Sequence, residues 1–113
     1  MNAQSIKIHD NVSLGASAAG AWVYYNSYHN PIEKATVHIH WTGSDQNDGT
    51  FYVYGKTGDE ANDYIELGNT TINAAAGSYS YTTTHQYLGF KVAYTKGTAT
   101  AGTFDANLIM KKS

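Results

Sequence analysis

The sequence predicts an all-β fold: a single antiparallel β-sandwich of about eight strands with a jelly-roll-like arrangement. Short runs in which apolar or aromatic residues alternate with polar ones recur along the chain, separated by clusters of Gly, Asn and Asp. The hydrophobic share of 42% draws on Ala, Val, Ile and ten Tyr, a mixture that suits pleated sheets. No segment combines helical periodicity with capping residues.

The first two strands are predicted on either side of a flexible, small-residue stretch. Residues 5–9 form a short strand with Ile6 and Ile8 on one face. Residues 21–28 form the second strand, which carries aromatic residues on both faces, and an Asn-Pro pair at residues 30–31 marks the turn that follows. Both faces of the second strand are therefore expected to be at least partly covered.

The third strand has the clearest alternation in the chain. Residues 35–41 place Val37, Ile39 and Trp41 on one face, and Thr36, His38 and His40 on the other. The polar loop at residues 43–49 ends in Asn-Asp-Gly, which is typical of a hairpin connection. Residues 50–54 are accordingly predicted as the return strand.

The second half of the chain contributes the remaining strands, predicted at residues 64–67, 70–72, 78–84, 88–94 and 103–110. Gly-Asn at residues 68–69 is interpreted as a turn, and residues 96–102 as a hairpin loop joining the last two strands. In those two strands the apolar residues in phase are Leu88, Phe90, Val92 and Tyr94, and then Phe104, Ala106, Leu108 and Met110.

Length and composition narrow the possible partners. A chain of 113 residues suits one core, so one domain is expected over residues 1–113. All seven basic residues are Lys and the net charge is −2, which disfavours a nucleic-acid partner. No apolar run reaches membrane-spanning length, and residues 1–10 lack a signal-peptide pattern, so we expect a protein made in the cytoplasm without a membrane partner.

Residues that could carry chemistry are sparse, and we predict neither an enzyme nor a cofactor. His38 and His40 share a strand face and are the candidate metal ligands, but no third ligand is anchored beside them, so no metal site is predicted. The loops holding Asp45, Asp48 and Asp63 offer oxygen ligands for calcium. Polar turn chemistry explains the same residues, and their spacing does not match an EF-hand.

The aromatic residues are the strongest anomaly of composition, because they exceed what one small core needs. Tyr and Trp combine apolar area with a polar group, which suits protein interfaces and also sugar-stacking platforms. The pool from which core and interface are drawn consists of Trp22, Tyr24, Tyr25, Tyr28, Tyr52, Tyr54, Tyr79 and Tyr81. The alternative to a protein interface is a carbohydrate-binding module that stacks sugars on exposed rings.

The C-terminal segment consists of Tyr-Leu-Gly-Phe-Lys-Val-Ala-Tyr-Thr at residues 87–95, a Gly- and Thr-rich loop, and Phe-Asp-Ala-Asn-Leu-Ile-Met-Lys-Lys at residues 104–112. This pattern resembles the ending of small β-sandwich virion proteins of tailed bacteriophages. It extends loosely to residues 20–25 and 55–72 and includes no diagnostic motif.

That resemblance implies a capsid decoration, neck or tail component located in the virion. Its partners would be other virion proteins and further copies of itself, in a trimer in particular. The family that the segment resembles has no catalytic residues to carry over.

Overall fold

The structure is a computed structural model that describes residues 3–24, 32–85 and 87–112, with side chains for 5–24, 34–85 and 87–111. Within these residues the chain forms eight strands and no helix, and hence no helix that could cross a membrane. The strands are β1 (Ala3–Ser13), β2 (Val23–Tyr24), β3 (Ile32–Thr42), β4 (Thr50–Lys56), β5 (Tyr64–Thr71), β6 (Gly77–Thr83), β7 (Gly89–Thr95) and β8 (Thr103–Lys112).

The strands form two four-stranded antiparallel sheets. The first sheet has the order β1-β8-β3-β6 and the second has the order β2-β7-β4-β5. Among the eight described strands, β4 and β5 are the one consecutive pair that is hydrogen-bonded, and the other consecutive strands lie in different sheets. This is jelly-roll connectivity, and the predicted antiparallel sandwich is confirmed.

The core lies between the inner faces of the two sheets, where strand alternation places one apolar side chain in every two residues. The predicted inward sets on β3 and β8 are confirmed, because Val37, Ile39, Trp41, Phe104, Ala106, Leu108 and Met110 are all buried. The second sheet contributes Phe51, Val53, Phe90, Val92 and Tyr94. The Phe51 ring packs 4.9 Å from both the Tyr94 and the Phe104 rings, which joins the sheets at their centre.

The two predicted hairpins at residues 43–49 and 96–102 are wrong. β3 pairs with β8 and β6, whereas β4 pairs with β5 and β7, so both loops pass between the sheets. Turn residues such as Asp48 and Gly49 specify that the chain reverses direction. They do not specify which strand becomes the partner, because long-range packing decides that.

The predicted turn at Gly68-Asn69 is also wrong, since β5 runs without interruption through both residues and carries a register shift against β4. Gly68 serves close packing. A Cβ at this position would overlap the Tyr79 hydroxyl, which reaches across from β6. The missing side chain therefore lets the edges of the two sheets approach each other.

β1 is longer than predicted and shifts register twice against β8, between Lys7 and His9 and between His9 and Val12. A bulge inverts the alternation of a strand, and His9 consequently points inward, only 8% exposed. Its Nε2 donates to the Val92 carbonyl oxygen at 2.7 Å. For the second predicted strand, the structure describes only Val23–Tyr24 as a strand, and residues 25–28 lie outside the described residues.

Candidate functional site

Exposed apolar side chains gather at one end of the second sheet. Among the described residues, the exposed large hydrophobic side chains are Tyr24, Tyr64, Ile65, Leu88 and Ile109. The first four lie at a single end of the sheet, because Tyr24 pairs with the start of β7, Tyr64 and Ile65 pair with the end of β4, and the Leu88 N–H donates to the Lys56 carbonyl oxygen. We call this region, with Trp22 and Tyr54, the aromatic end.

Strand alternation explains why rings lie on the outer surface of β4. Phe51 and Val53 are fully buried, so the residues between and after them, Tyr52 and Tyr54, face outward and remain half-buried. Burial raises the pKa of the Tyr54 hydroxyl above its usual 10.0, and the nearby Glu66 carboxylate adds to the effect. The Tyr54 hydroxyl is thus partly shielded from water.

Two lysines sit among the rings. The Lys91 ammonium lies 5.0 Å from the centre of the Trp22 ring, 5.5 Å from that of Tyr54 and 5.6 Å from that of Tyr64. The Lys56 ammonium lies 5.2 Å from the Trp22 ring and donates to the Glu60 carbonyl oxygen at 2.7 Å. Cation–π attraction of this kind favours the observed arrangement of the rings around the two ammonium groups.

The rings differ in orientation. Tyr54 and Tyr64 are perpendicular at 5.5 Å, and Trp22 is tilted against Tyr64 at 5.8 Å. Tyr52 and Tyr54 are nearly parallel, with an interplanar angle of 23° and a centroid separation of 6.3 Å. The surface therefore combines one near-parallel pair with an edge-to-face cluster.

The opposite end of the second sheet is polar. The outward residues of the paired strands there are Thr50, Thr71 and Thr95, and the first two are in hydrogen-bond contact through their hydroxyl groups at 3.3 Å. Next to them lie the loops at residues 43–49 and 96–102, which we call the two crossing loops and which are joined by carboxylates. This end carries none of the exposed large apolar side chains named above.

Asp45 and Asp48 make that loop junction. Asp48 accepts from the Thr98 backbone N–H and hydroxyl, and Asp45 accepts from the same two groups of Thr100. These hydrogen bonds, led by those of the threonine hydroxyls, lower the pKa of both carboxyls below the usual 3.8. Both carboxylates thus have structural donors within the chain, in keeping with the turn-chemistry interpretation.

The structure separates the predicted aromatic pool into groups. Trp22, Tyr24, Tyr52 and Tyr54 belong to the outer surface of the second sheet. Tyr79 and Tyr81 lie on the inner face of β6, partly buried against the core. Tyr25 and Tyr28 lie outside the described residues.

Three members of the aromatic end were not in the predicted pool: Tyr64, Ile65 and Leu88. The two lysines among its rings, Lys56 and Lys91, were not in the pool either. Lys91 could have been found from alternation, because it stands between Phe90 and Val92, which are buried. Leu88 shares their phase but precedes the strand, which begins at Gly89, so it is 47% exposed.

His38 and His40 lie on the outer face of the first sheet, remote from the aromatic end. The His38 Nδ1 is 2.7 Å from the Ser80 hydroxyl, and His40 is exposed opposite Asp105. The Asn11 backbone N–H, with help from Lys7 and His40, lowers the pKa of Asp105. Within the described part of the chain, no three His, Cys, Asp or Glu side chains converge as a metal ion requires.

Comparison with known proteins gives distant structural likenesses. No family model matches the chain, and no curated protein matches it. One similar solved structure is of Bacillus endospore appendages, described as a novel family of disulfide-linked pili, with 11% identity over 98% of this chain and 87% of that chain, and a TM-score of 0.48. Another is infectious bursal disease virus, Gx strain, with 10% identity over 96% of this chain and 31% of that chain, and a TM-score of 0.43. At these scores the likeness supports no functional inference.

Proposed function

We propose that this protein is a structural component of a virus particle, a capsid decoration, neck or tail protein of a tailed bacteriophage. It attaches to other virion proteins through the aromatic end. The observation that carries the proposal is the gathering of Tyr24, Tyr64, Ile65 and Leu88 at one exposed end of the sheet. The resemblance of the C-terminal segment to phage virion proteins supports the biological setting.

Leaving apolar side chains exposed to water is unfavourable. Exposed apolar side chains gathered at one end of a small protein are typical of an interaction site, and Tyr and Trp are enriched in interface cores. Lys91 and Lys56 already hold the Trp22 ring, so little side-chain freedom is lost when a partner covers it. Attachment of this kind proceeds by burial of surface and needs no catalytic group.

The test is incorporation into particles. Mass spectrometry of particles purified from the source should find this chain at a fixed copy number. In particles complemented with the double variant Tyr24→Ser, Leu88→Ser, we expect the copy number to fall about tenfold or more, because two anchoring side chains are lost.

The matched control is Ile109→Ser, which removes an exposed apolar side chain from the other sheet, where 39% of Ile109 is exposed. This variant should be incorporated like the wild type. Absence of the chain from particles, or normal incorporation of the double variant, would refute the proposal.

A second candidate function, carbohydrate binding, is favoured by one observation. Tyr52 and Tyr54 are nearly parallel, and their cross-strand neighbours are Asn69 and Glu66, joined by a 2.9 Å hydrogen bond. Flat rings beside amide and carboxylate groups match the needs of a sugar, which has apolar faces and hydroxyl edges.

A glycan array distinguishes this candidate. Binding that is lost in Tyr52→Ala, Tyr54→Ala and kept in Ile109→Ser would support it, provided that circular dichroism shows both variants folded. A wild-type protein that binds no glycan would exclude it.

A further inference from the structure

Among the edge strands β1, β5 and β6, β6 is the least protected against pairing with another strand. β1 breaks its register twice and carries Lys7 and Asp10. β5 has a register shift against β4 and carries Glu66. Bulges, charges and short length are the usual devices by which proteins keep edge strands from pairing.

β6 has none of these devices. Its seven residues pair with β3 without a register shift, from Gly77 opposite Trp41 to Thr83 opposite Ala35. Its sequence, Gly-Ser-Tyr-Ser-Tyr-Thr-Thr, contains no charge and no proline. In the described part of the chain, residues 78–82 make no backbone hydrogen bond beyond the ladder with β3, so the outward N–H and C=O groups are open to another strand.

The chemistry of β6 is symmetric about Ser80. Tyr79 and Tyr81 flank it on the inner face, and Ser78 and Thr82 flank it on the outer face. In an antiparallel pair of identical strands related by a two-fold axis, each residue faces the one at the same distance beyond the centre. A pairing centred on Ser80 thus places ring against ring and hydroxyl against hydroxyl.

We propose that two copies of this chain pair antiparallel through β6, about a two-fold axis at Ser80. Tyr79 then faces the partner's Tyr81, and Ser78 faces the partner's Thr82. The first sheet of one copy and the first sheet of the other then form one continuous eight-stranded sheet. No like charges meet, since the strand is uncharged. This contact is independent of the proposed function, because the aromatic end belongs to the other sheet.

The test uses charges to read the register. Ser78 and Thr82 are exposed on the solvent face, so lysine or aspartate at either position is compatible with the fold. The wild type should be a dimer by light scattering over a concentration series. The double variant S78K/T82K sets lysine against lysine, and its dimer dissociation constant should rise about tenfold or more.

The variant S78K/T82D should restore dimerisation to nearly the wild-type strength, since each lysine now meets an aspartate of the other copy. S5K/T42K adds two lysines at exposed positions of the same sheet and should leave the dimer unchanged. A monomeric wild type, or a dimer indifferent to S78K/T82K, would overturn the proposal.

Cross-linking gives a second measurement. The chain has no cysteine, so S80C carries a single thiol. Directly opposed residues lie about 4.5–5.5 Å apart at Cα, within disulfide range. Mild oxidation should therefore link S80C dimers. S78C should stay unlinked, because its two copies would be roughly 13 Å apart along the ladder. Equal linking of both variants would contradict the register.

Normal particle incorporation of S78K/T82K would leave the proposed function intact, so the two proposals fail separately.

Discussion

At the scale of single residues, His9 performs a role that strand pairing leaves open. β7 pairs with β2 at Gly89 and Phe90 and with Ala18 at Tyr94, and the His9 Nε2 reaches the Val92 carbonyl oxygen in the interval between them. The imidazole also packs 5.0 Å from the Phe104 ring. One side chain thus connects β1 of the first sheet to the backbone of the second.

Replacing His9 with Leu should destabilise the protein by about 1–3 kcal/mol, because a buried carbonyl oxygen loses its donor while the volume is nearly kept. Urea unfolding followed by fluorescence measures the loss. His40→Leu, a change at an exposed imidazole, should stay within about 0.5 kcal/mol of the wild type. Equal losses in the two variants would show that the hydrogen bond to Val92 contributes little.

Gly20, close to His9, adopts a backbone φ of +74°, and a Cβ there would overlap the Val92 carbonyl oxygen. The sequence shows a glycine in a small-residue stretch but not this constraint, because the contact depends on strands far away in the chain. The inward turn of His9 is hidden for the same reason. A bulge reverses every later residue of a strand, and alternation alone predicts the opposite face.

At the scale of the structural elements, the two crossing loops depend on ionised carboxylates. Asp45 and Asp48 have a lower pKa in the folded state than the usual 3.8, with the hydroxyl hydrogen bonds of Thr100 and Thr98 as the main causes. The unfolded chain therefore takes up protons first as pH falls. The stabilisation from these carboxylates is complete above about pH 5 and declines as pH falls through 3.8 toward the folded-state values.

In the double variant Asp45→Asn, Asp48→Asn, the melting temperature should be lower than in the wild type at pH 7. The difference should shrink as the pH falls below 3.8, since the wild type then progressively loses the same charges. Thermal melts followed by circular dichroism across this range measure it. Asp59→Asn, in the exposed β4–β5 loop, is the control and should follow the wild-type curve. A difference that stays constant with pH would contradict the assignment.

Two Tyr-x-Tyr strands show what an element's own sequence can predict. Tyr52-Val53-Tyr54 directs its rings outward because Val53 is buried, whereas Tyr79-Ser80-Tyr81 directs them inward because Ser80 is exposed. The residue between the rings decided the face, and this signal was available in the sequence. Which outward rings meet one another was not available, because it depends on the pairing of β4 with β5 and β7.

At the scale of the whole molecule, the strand order predicts where the fold opens first. β8 lies between β1 and β3, near the centre of its sheet, while Val23 and Tyr24 of β2 lie at the edge of the second sheet. Amide exchange followed by NMR should be slowest in β8 and β3. We expect it to be at least about a hundredfold faster in β2. Comparable protection of β2 and β8 would contradict a fold stabilised chiefly by its central strands.

The fold class and the inward faces of β3 and β8 followed from alternation, because a two-residue period is a local property. The jelly-roll partners of each strand did not follow. β1 pairs with β8 and β3 also pairs with β8, across most of the chain, and turn residues carry no information on such distant contacts. The candidate site was therefore predicted as a pool of rings, and its location at one end of a sheet required the structure.

The contrast between the two ends of the second sheet gives the molecule a direction. Attachment by the aromatic end would leave the loops at residues 43–49 and 96–102 pointing away from the protein to which the subunit is attached. Substitutions or an inserted peptide in those loops would then change the exposed surface of the subunit without weakening its attachment through the aromatic end. A display site and an anchor would thus occupy opposite poles of one small sandwich.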